Sequence, residues 1–191
     1  MININHILLA FVDMRFVVLD TETTGFTRKS EFGVCHGHRV IEVACVEVVN
    51  GRRTGAVFHS YVDPGQMIDA AATRVHGITD DFIQGKPSFR EIVSGLLRFI
   101  GDATVVIHNA PFDTAFLDKE FNLLPESDRP RRNFYVIDTL VLARERFPGV
   151  RNDLDALCER VGIYGRESEK HGALKDAWLL SEVFLELFYD S

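Results

Sequence analysis

The sequence is poor in cysteine, in basic charge and in long apolar runs, and each shortage removes a class of protein. Its three cysteines, Cys35, Cys45 and Cys158, contain no Cys-x-x-Cys pair. That argues against a disulfide scaffold and for a reducing compartment, with each thiol read as a small buried hydrophobe. Cys35-His36-Gly37-His38 looks like half of a zinc site, but no second Cys/His pair follows at zinc-ribbon spacing, so the segment reads as a solvated loop. The apolar run Ile7–Val12 has six residues, no basic flank and no small-residue cleavage site, so neither a membrane span nor a leader is expected and the location reads as cytoplasmic. Basic residues number 21 against 28 acidic ones, a net charge of −7, so no basic surface advertises nucleic acid. An acidic protein still holds a phosphodiester when metal ions stand between its carboxylates and the phosphate.

What is present is an ordinary globular composition, 46% hydrophobic and 26% charged over 191 residues. It suits one domain with a substantial core. No repeat, linker or charge block divides the chain. Residues 1–14 read as an N-terminal extension and 15–189 as a single domain.

Phe16–Leu19 is a short β-branched apolar run, the mark of a buried strand. Arg39–Val49 predicts a second strand, and Asn50-Gly51 a tight hairpin turn into a third at Val57–Val62. Asp69–His76 and Thr79–Ile83 read as short helices. Ser88, with Glu91 three residues on, opens a longer helix bearing Ile92, Val93, Leu96, Leu97 and Ile100. Strands at Thr104–Ile107 and Val136–Ile137 then alternate with helices starting near Pro111, Asp138, Asp153 and Leu174. An antiparallel start followed by strand–helix alternation predicts an α/β fold, a mixed sheet flanked by helices.

Three constellations carry chemistry. Asp20 and Glu22 sit at the end of the first strand within Asp-Thr-Glu-Thr-Thr-Gly. Strand alternation points them the same way, roughly 6–7 Å apart. That spacing suits a pair of metal ions ~3.5–4 Å apart. In His108-Asn109-Ala110-Pro111-Phe112-Asp113, Asp113 falls near a helix N-terminus, where free amides favour its ionised form. In His171-Gly172-Ala173-Leu174-Lys175-Asp176, five helical steps turn by ~140° net. His171 and Asp176 therefore share a site only if His171 precedes the helix, a break that Gly172 permits. The charged stretch from Gly165 to Lys170 is expected to be mobile. Together these residues imply metal-dependent phosphodiester hydrolysis. Asp20, Glu22, Asp113 and Asp176 would bind two Mg²⁺ or Mn²⁺ ions, and His171 would serve as general base near neutrality.

The same residues resemble the DEDDh branch of the DnaQ-like 3′→5′ exonucleases, with His171 as the histidine of that branch. Val75-His76-Gly77-Ile78, Val106-Ile107-His108-Asn109, Phe147-Pro148-Gly149 and Leu154-Asp155-Ala156-Leu157-Cys158 extend the likeness from about Met14 to Phe188, within that family, to the proofreading epsilon subunits of bacterial DNA polymerase III. The resemblance implies an RNase H-like fold with a five-stranded mixed sheet. It also implies release of nucleoside 5′-monophosphates from a DNA 3′ end, with a polymerase catalytic subunit as a partner. Thr23, His76, Asn109 and Phe112 would line the terminal-nucleotide pocket, where stacking of Phe112 on a base would be worth ~1–3 kcal/mol. For Phe112 a core position is an equal reading.

Two departures qualify the likeness. Ala71 stands where the family often carries an acid near the terminal sugar, and the sequence stops at Ser191 where those subunits continue into a polymerase-binding tail. Leu185-Glu186-Leu187-Phe188 faintly resembles a sliding-clamp peptide, but its leading Gln is missing and its spacing reads as core packing. Two other functions remain open: a stand-alone enzyme trimming single-stranded DNA or RNA 3′ ends, and a non-catalytic subunit that stabilises a polymerase.

Overall fold

The computed structural model describes residues 14–27, 31, 33–130, 134–164 and 170–189. Most of the N-terminal extension and the charged loop segment 165–169 lie outside them. The first strand is longer than its apolar run. In β1 (Arg15–Thr23) the polar residues after Leu19 stay paired, with Asp20, Thr21 and Glu22 opposite Ala44, Val43 and Glu42 of antiparallel β2 (Val40–Val49). Asn50 and Gly51 both take positive φ (50° and 72°), as a two-residue hairpin turn requires. So β3 (Arg52–Tyr61) begins directly after the turn, ahead of the expected Val57. β4 (Thr104–Ile107) and β5 (Val136–Asp138) add in parallel, giving the order β3-β2-β1-β4-β5.

Seven helices cover this sheet among the described residues: α1 (Ala70–His76), α2 (Asp80–Ile83), α3 (Phe89–Ile100), α4 (Ala110–Leu123), α5 (Thr139–Arg146), α6 (Leu154–Arg160) and α7 (Ala173–Phe184). The Glu91 carboxylate accepts the Ser88 backbone N–H at 2.7 Å, closing the expected capping box of α3. On one face, Val17, Leu19, Val105 and Ile107 pack with Leu96 of α3 and Phe116, Leu117 and Phe121 of α4. On the other, Phe16, Val18, Ala44, Val46 and Val106 meet Ala177, Leu180 and Phe184 of α7. The final segment leaves α geometry after Phe184 and closes as a π-helical turn, Leu185–Tyr189, with Leu187 buried. No helix among the described residues is long and apolar enough to cross a membrane.

Two local features set the frame around the chain's acidic residues. Thr23 pairs with Val40 while Glu22 pairs with Glu42, so Ile41 is an extra residue in β2. The bulge turns Ile41 toward Ile68, Ile78 and Ile83 beneath α1 and α2. Next to it, the Arg39 guanidinium donates to both oxygens of Glu120, each at 2.7 Å, and Glu120 also accepts the Val40 N–H at 3.1 Å. This ties α4 to the start of β2. Glu120 is 1% exposed, so removing it would strand a cation against the core. Glu120→Ala is expected to lower stability by about 3–5 kcal/mol, read from urea unfolding, with Glu120→Gln losing less.

Candidate active site

Alternation along β1 decides which layer each of its polar residues meets. Phe16 and Val18 face α7, whereas Val17 and Leu19 face α3 and α4. Asp20 and Glu22 continue the first series and Thr21 the second. Oxygens of Asp20, Glu22 and the α7 residue Asp176 accordingly lie within 4.8 Å of one another. On the opposite side, the Thr21 hydroxyl donates to Asp113 Oδ1 at 2.7 Å. Asp113 stands in the first turn of α4, after Pro111, and is outside that three-acid group. Its charge nonetheless acts on Asp20 more strongly than that of any other neighbour.

The strand-to-helix turn that delivers Asp113 is held open by an unusual backbone. Asn109 takes φ 65° and ψ 52°, a left-handed conformation that asparagine tolerates better than most residues. Its N–H donates to Asp138 Oδ1 at 3.1 Å, and the same oxygen caps α5 through the Leu140 N–H at 2.9 Å. Asn109 is exposed, and it is not among the residues lining the adjoining cleft.

His171 precedes α7, with Gly172 extended at its N-cap, so the helical offset between His171 and Asp176 does not apply. Nδ1 of His171 lies 3.0 Å from Asp176 Oδ2, and the His171 N–H donates to the Val75 carbonyl of α1 at 3.2 Å. The carboxylate selects the tautomer with the proton on Nδ1, which leaves Nε2 as the basic nitrogen.

Burial is the largest cause holding Asp20 well above the usual carboxylate pKa, and Asp113, Glu22, Asp176 and Glu42 add to it in that order. Burial also pushes Asp113 up to about 7 against the opposing Thr21 hydrogen bond. Acids crowded in this way resist ionisation together unless positive charge joins them. Clustered carboxylate oxygens fit hard divalent cations such as Mg²⁺ or Mn²⁺, and among the described residues the cluster of Asp20, Glu22 and Asp176 includes no thiol or imidazole.

Beside the acids opens a cleft of about 560 Å³, bordered by Glu22, Thr23, Phe26, Ala71, His76 and Phe112. Gly25 shapes its wall: at φ 142° a Cβ would stand 2.7 Å from Asp69 Oδ2 and 2.9 Å from the His38 ring. Phe112 serves core and cleft at once. Its ring packs 4.9 Å from Phe116 inside and 5.9 Å, edge-on, from half-exposed Phe26. His76 is buried, accepts the Ile78 N–H on Nδ1 at 3.0 Å, and burial lowers its pKa, so its ring is neutral at pH 7.

Three residues at this site escaped the reading of the sequence. Thr21 was visible only as a spacer between two acids. Asp138 was visible only as a helix start. Glu42 carried the one usable signal, a carboxylate in the otherwise apolar start of a strand. It is 2% exposed and its charge reaches Asp20.

The chain is 47% identical over 176 residues to DNA polymerase III subunit epsilon of Escherichia coli, spanning 91% of this chain and 71% of that protein. It is 43% identical over 172 residues to the same subunit of Buchnera aphidicola, spanning 90% and 73%. The solved nuclease domain of 3'hExo, a DEDDh family member bound to rAMP, superposes with a TM-score of 0.74 over 94% of both chains at 16% identity. That likeness is one of fold, and the five-stranded mixed sheet with its helices is RNase H-like. A family model described as exonuclease, of the RNase T type, matches residues 17–184, and the chain belongs to that exonuclease family.

Proposed function

We propose that the chain is a 3′→5′ exonuclease that removes nucleotides from single-stranded or frayed DNA 3′ ends, acting in proofreading with the catalytic subunit of a replicative polymerase in the cytoplasm. The observation that carries this reading is the meeting of Asp20, Glu22 and Asp176 within 4.8 Å, beside a nucleotide-sized cleft and a histidine bonded to one of them. The relatives named as polymerase III epsilon support the substrate and the partner.

In this reading Asp20, Glu22, Asp113 and Asp176 hold two divalent cations, Mg²⁺ or Mn²⁺. When bound, such ions supply Lewis acidity at the scissile phosphate, easier deprotonation of the attacking water and charge neutralisation at the leaving oxygen. His171 takes the proton of that water on Nε2, and Asp176 holds the resulting imidazolium through Nδ1. The water oxygen bonds to phosphorus as the bond to the 3′ oxygen of the preceding nucleotide breaks, and a nucleoside 5′-monophosphate leaves. Thr23, His76 and Phe112 border the terminal nucleotide in the cleft. Asn109 acts from the turn that sets Asp113. A mismatched end unpairs at lower cost than a matched one, so it reaches the cleft more often.

Asp20→Ala is expected to abolish release of mononucleotides from a 5′-labelled single-stranded oligonucleotide in Mg²⁺, as EDTA does to the wild type; degradation that persists in EDTA would overturn the reading. His171→Ala should slow turnover about 10²–10⁴-fold while Mn²⁺ binding stays near normal. Co-elution with the polymerase catalytic subunit in size-exclusion chromatography is the expected outcome for a proofreading enzyme, and separation would assign a stand-alone nuclease.

The raised carboxyl pKa values also fix the sign of a stability change. Folded Asp113 keeps its proton up to about pH 7, whereas the ordinary value is 3.8. Between these values Asp113 binds more protons in the folded state than in the unfolded one, so in EDTA its contribution to stability falls as pH rises. Melting temperatures across pH 4–7 (about the interval between the two values) should show that contribution as a fall superimposed on the opposite slope of His76 and His108, whose pKa values burial lowers. Asp113→Asn should flatten it, and Mn²⁺ should reverse it.

A further inference from the structure

The most deeply engaged acid near the site is not one of the four proposed to hold metal. Glu42 lies on β2 directly opposite Glu22, and its side chain is 3% exposed. Both of its oxygens are taken. Oε1 accepts from His59 Nε2 at 2.7 Å, and Oε2 accepts the Ala173 N–H at 3.1 Å. Ala173 is the first residue of α7, and an N–H at that position has no acceptor within its own helix. A carboxylate there satisfies the donor and opposes the helix dipole.

What this contact holds decides its meaning. Immediately before it come Gly172 and His171; three residues after it, on the same helical turn, comes Asp176. A Cβ on Gly172 would stand 3.8 Å from Glu42 Oε2, so the backbone runs close over the carboxylate at that point. His59, on β3, is steadied in turn by the edge of Tyr61, 5.0 Å away, which packs on Phe82 of α2 at 4.8 Å. A chain of contacts therefore runs from the outer strand through His59 and Glu42 to the start of α7.

We propose that Glu42, held by His59, is a positioning residue that sets the start of α7 and with it both Asp176 and His171. The inference rests on the exonuclease reading for its kinetic consequence, but the metal-binding consequence stands apart from it. Each oxygen of Glu42 meets an N–H donor, and Glu42 is not among the acids whose oxygens cluster within 4.8 Å, so in this proposal it acts through Asp176 and His171 rather than as a cation ligand.

The test uses the full chain, with turnover on a 5′-labelled single-stranded oligonucleotide, Mn²⁺ binding followed by electron paramagnetic resonance, and thermal melting. Glu42→Leu removes both hydrogen bonds. It should lower kcat about 10–100-fold with KM little changed, and weaken Mn²⁺ binding by a similar factor. Glu42→Gln keeps an acceptor for the Ala173 N–H and should restore most of both. His59→Leu leaves the Glu42 carboxylate in place but unpinned, and should produce a smaller loss in the same direction. Should Glu42→Leu fail to fold, Glu42→Gln and His59→Leu decide the matter. Wild-type kcat and Mn²⁺ binding in His59→Leu or in a folded Glu42→Leu would overturn the proposal. Loss of Mn²⁺ binding in Glu42→Gln would also overturn it, because Glu42 would then be a cation ligand. A wild type that binds Mn²⁺ but releases no nucleotide would count against the exonuclease reading alone, and the Mn²⁺ series would still judge the anchor.

Discussion

Concentrated negative charge at the end of β1 is the constraint around which this fold is arranged. Asp20, Glu22, Asp176 and Glu42 share one face of the sheet, and Asp113 adds its charge from the other layer. Like charges this close, partly removed from water, oppose folding rather than assist it. They stay together because neighbouring elements leave them nowhere else to go. β1 is hydrogen-bonded on both edges, and its apolar residues Phe16, Val17, Val18 and Leu19 are fully buried. α7 packs through Ala177, Leu180 and Phe184, also buried, which brings Asp176 against the strand. Apolar packing on both faces thus carries the electrostatic strain of the clustered acids.

The two layers divide the work. The face toward α7 brings three acids and the histidine together, and the face toward α4 supplies Asp113 and, through Phe112, one wall of the cleft. Thr21 is the link between them, because its hydroxyl reaches Asp113 from the one position in Asp20-Thr21-Glu22 that faces the other way. The bulge at Ile41 has a comparable effect. It ends the regular pairing of β1 with β2 just past Glu22 and packs Ile41 against Ile68 and Ile78, which flank the helix that carries His76. A site assembled this way draws on strand alternation, a helix N-terminus and one irregularity, each a local property with a distant consequence.

Much of this was legible in the sequence, for identifiable reasons. Parity along a strand is a property of two adjacent positions, so the shared direction of Asp20 and Glu22 could be read directly. The break at Gly172 followed from helical geometry, since His171 and Asp176 could not otherwise meet. The Asn50-Gly51 turn announced the hairpin of β2 with β3, but the extent of the other strand pairings was not legible. The length of β1 beyond Leu19 depends on β2 lying alongside it, and apolar periodicity stops where the polar residues begin. The early start of β3 was missed because its residues are largely exposed and lack an apolar run to mark them. The left-handed turn at Asn109 was not legible either, because it depends on the strand and the helix that the turn joins. Glu42 shows the same limit: a lone acid in a strand is silent about the histidine and the helix start that meet it.

The carboxylates and the histidine are held by different physics. Asp20 and Glu22 lie on the central strand, and Asp113 and Asp176 on helices whose apolar faces are buried in the core, so their positions follow from packing. His171 sits in a connecting segment, tied by its N–H to Val75, by its ring to Asp176 and, two residues on, by the start of α7. Packing resists displacement over the whole of an element, whereas a few hydrogen bonds exchange with water at modest net cost. Cation ligands need a fixed geometry, and a base that must accept a proton and then release it needs some freedom to move. Under the proposed mechanism, placing the acids on elements and the imidazole on a tethered loop meets both requirements in one fold.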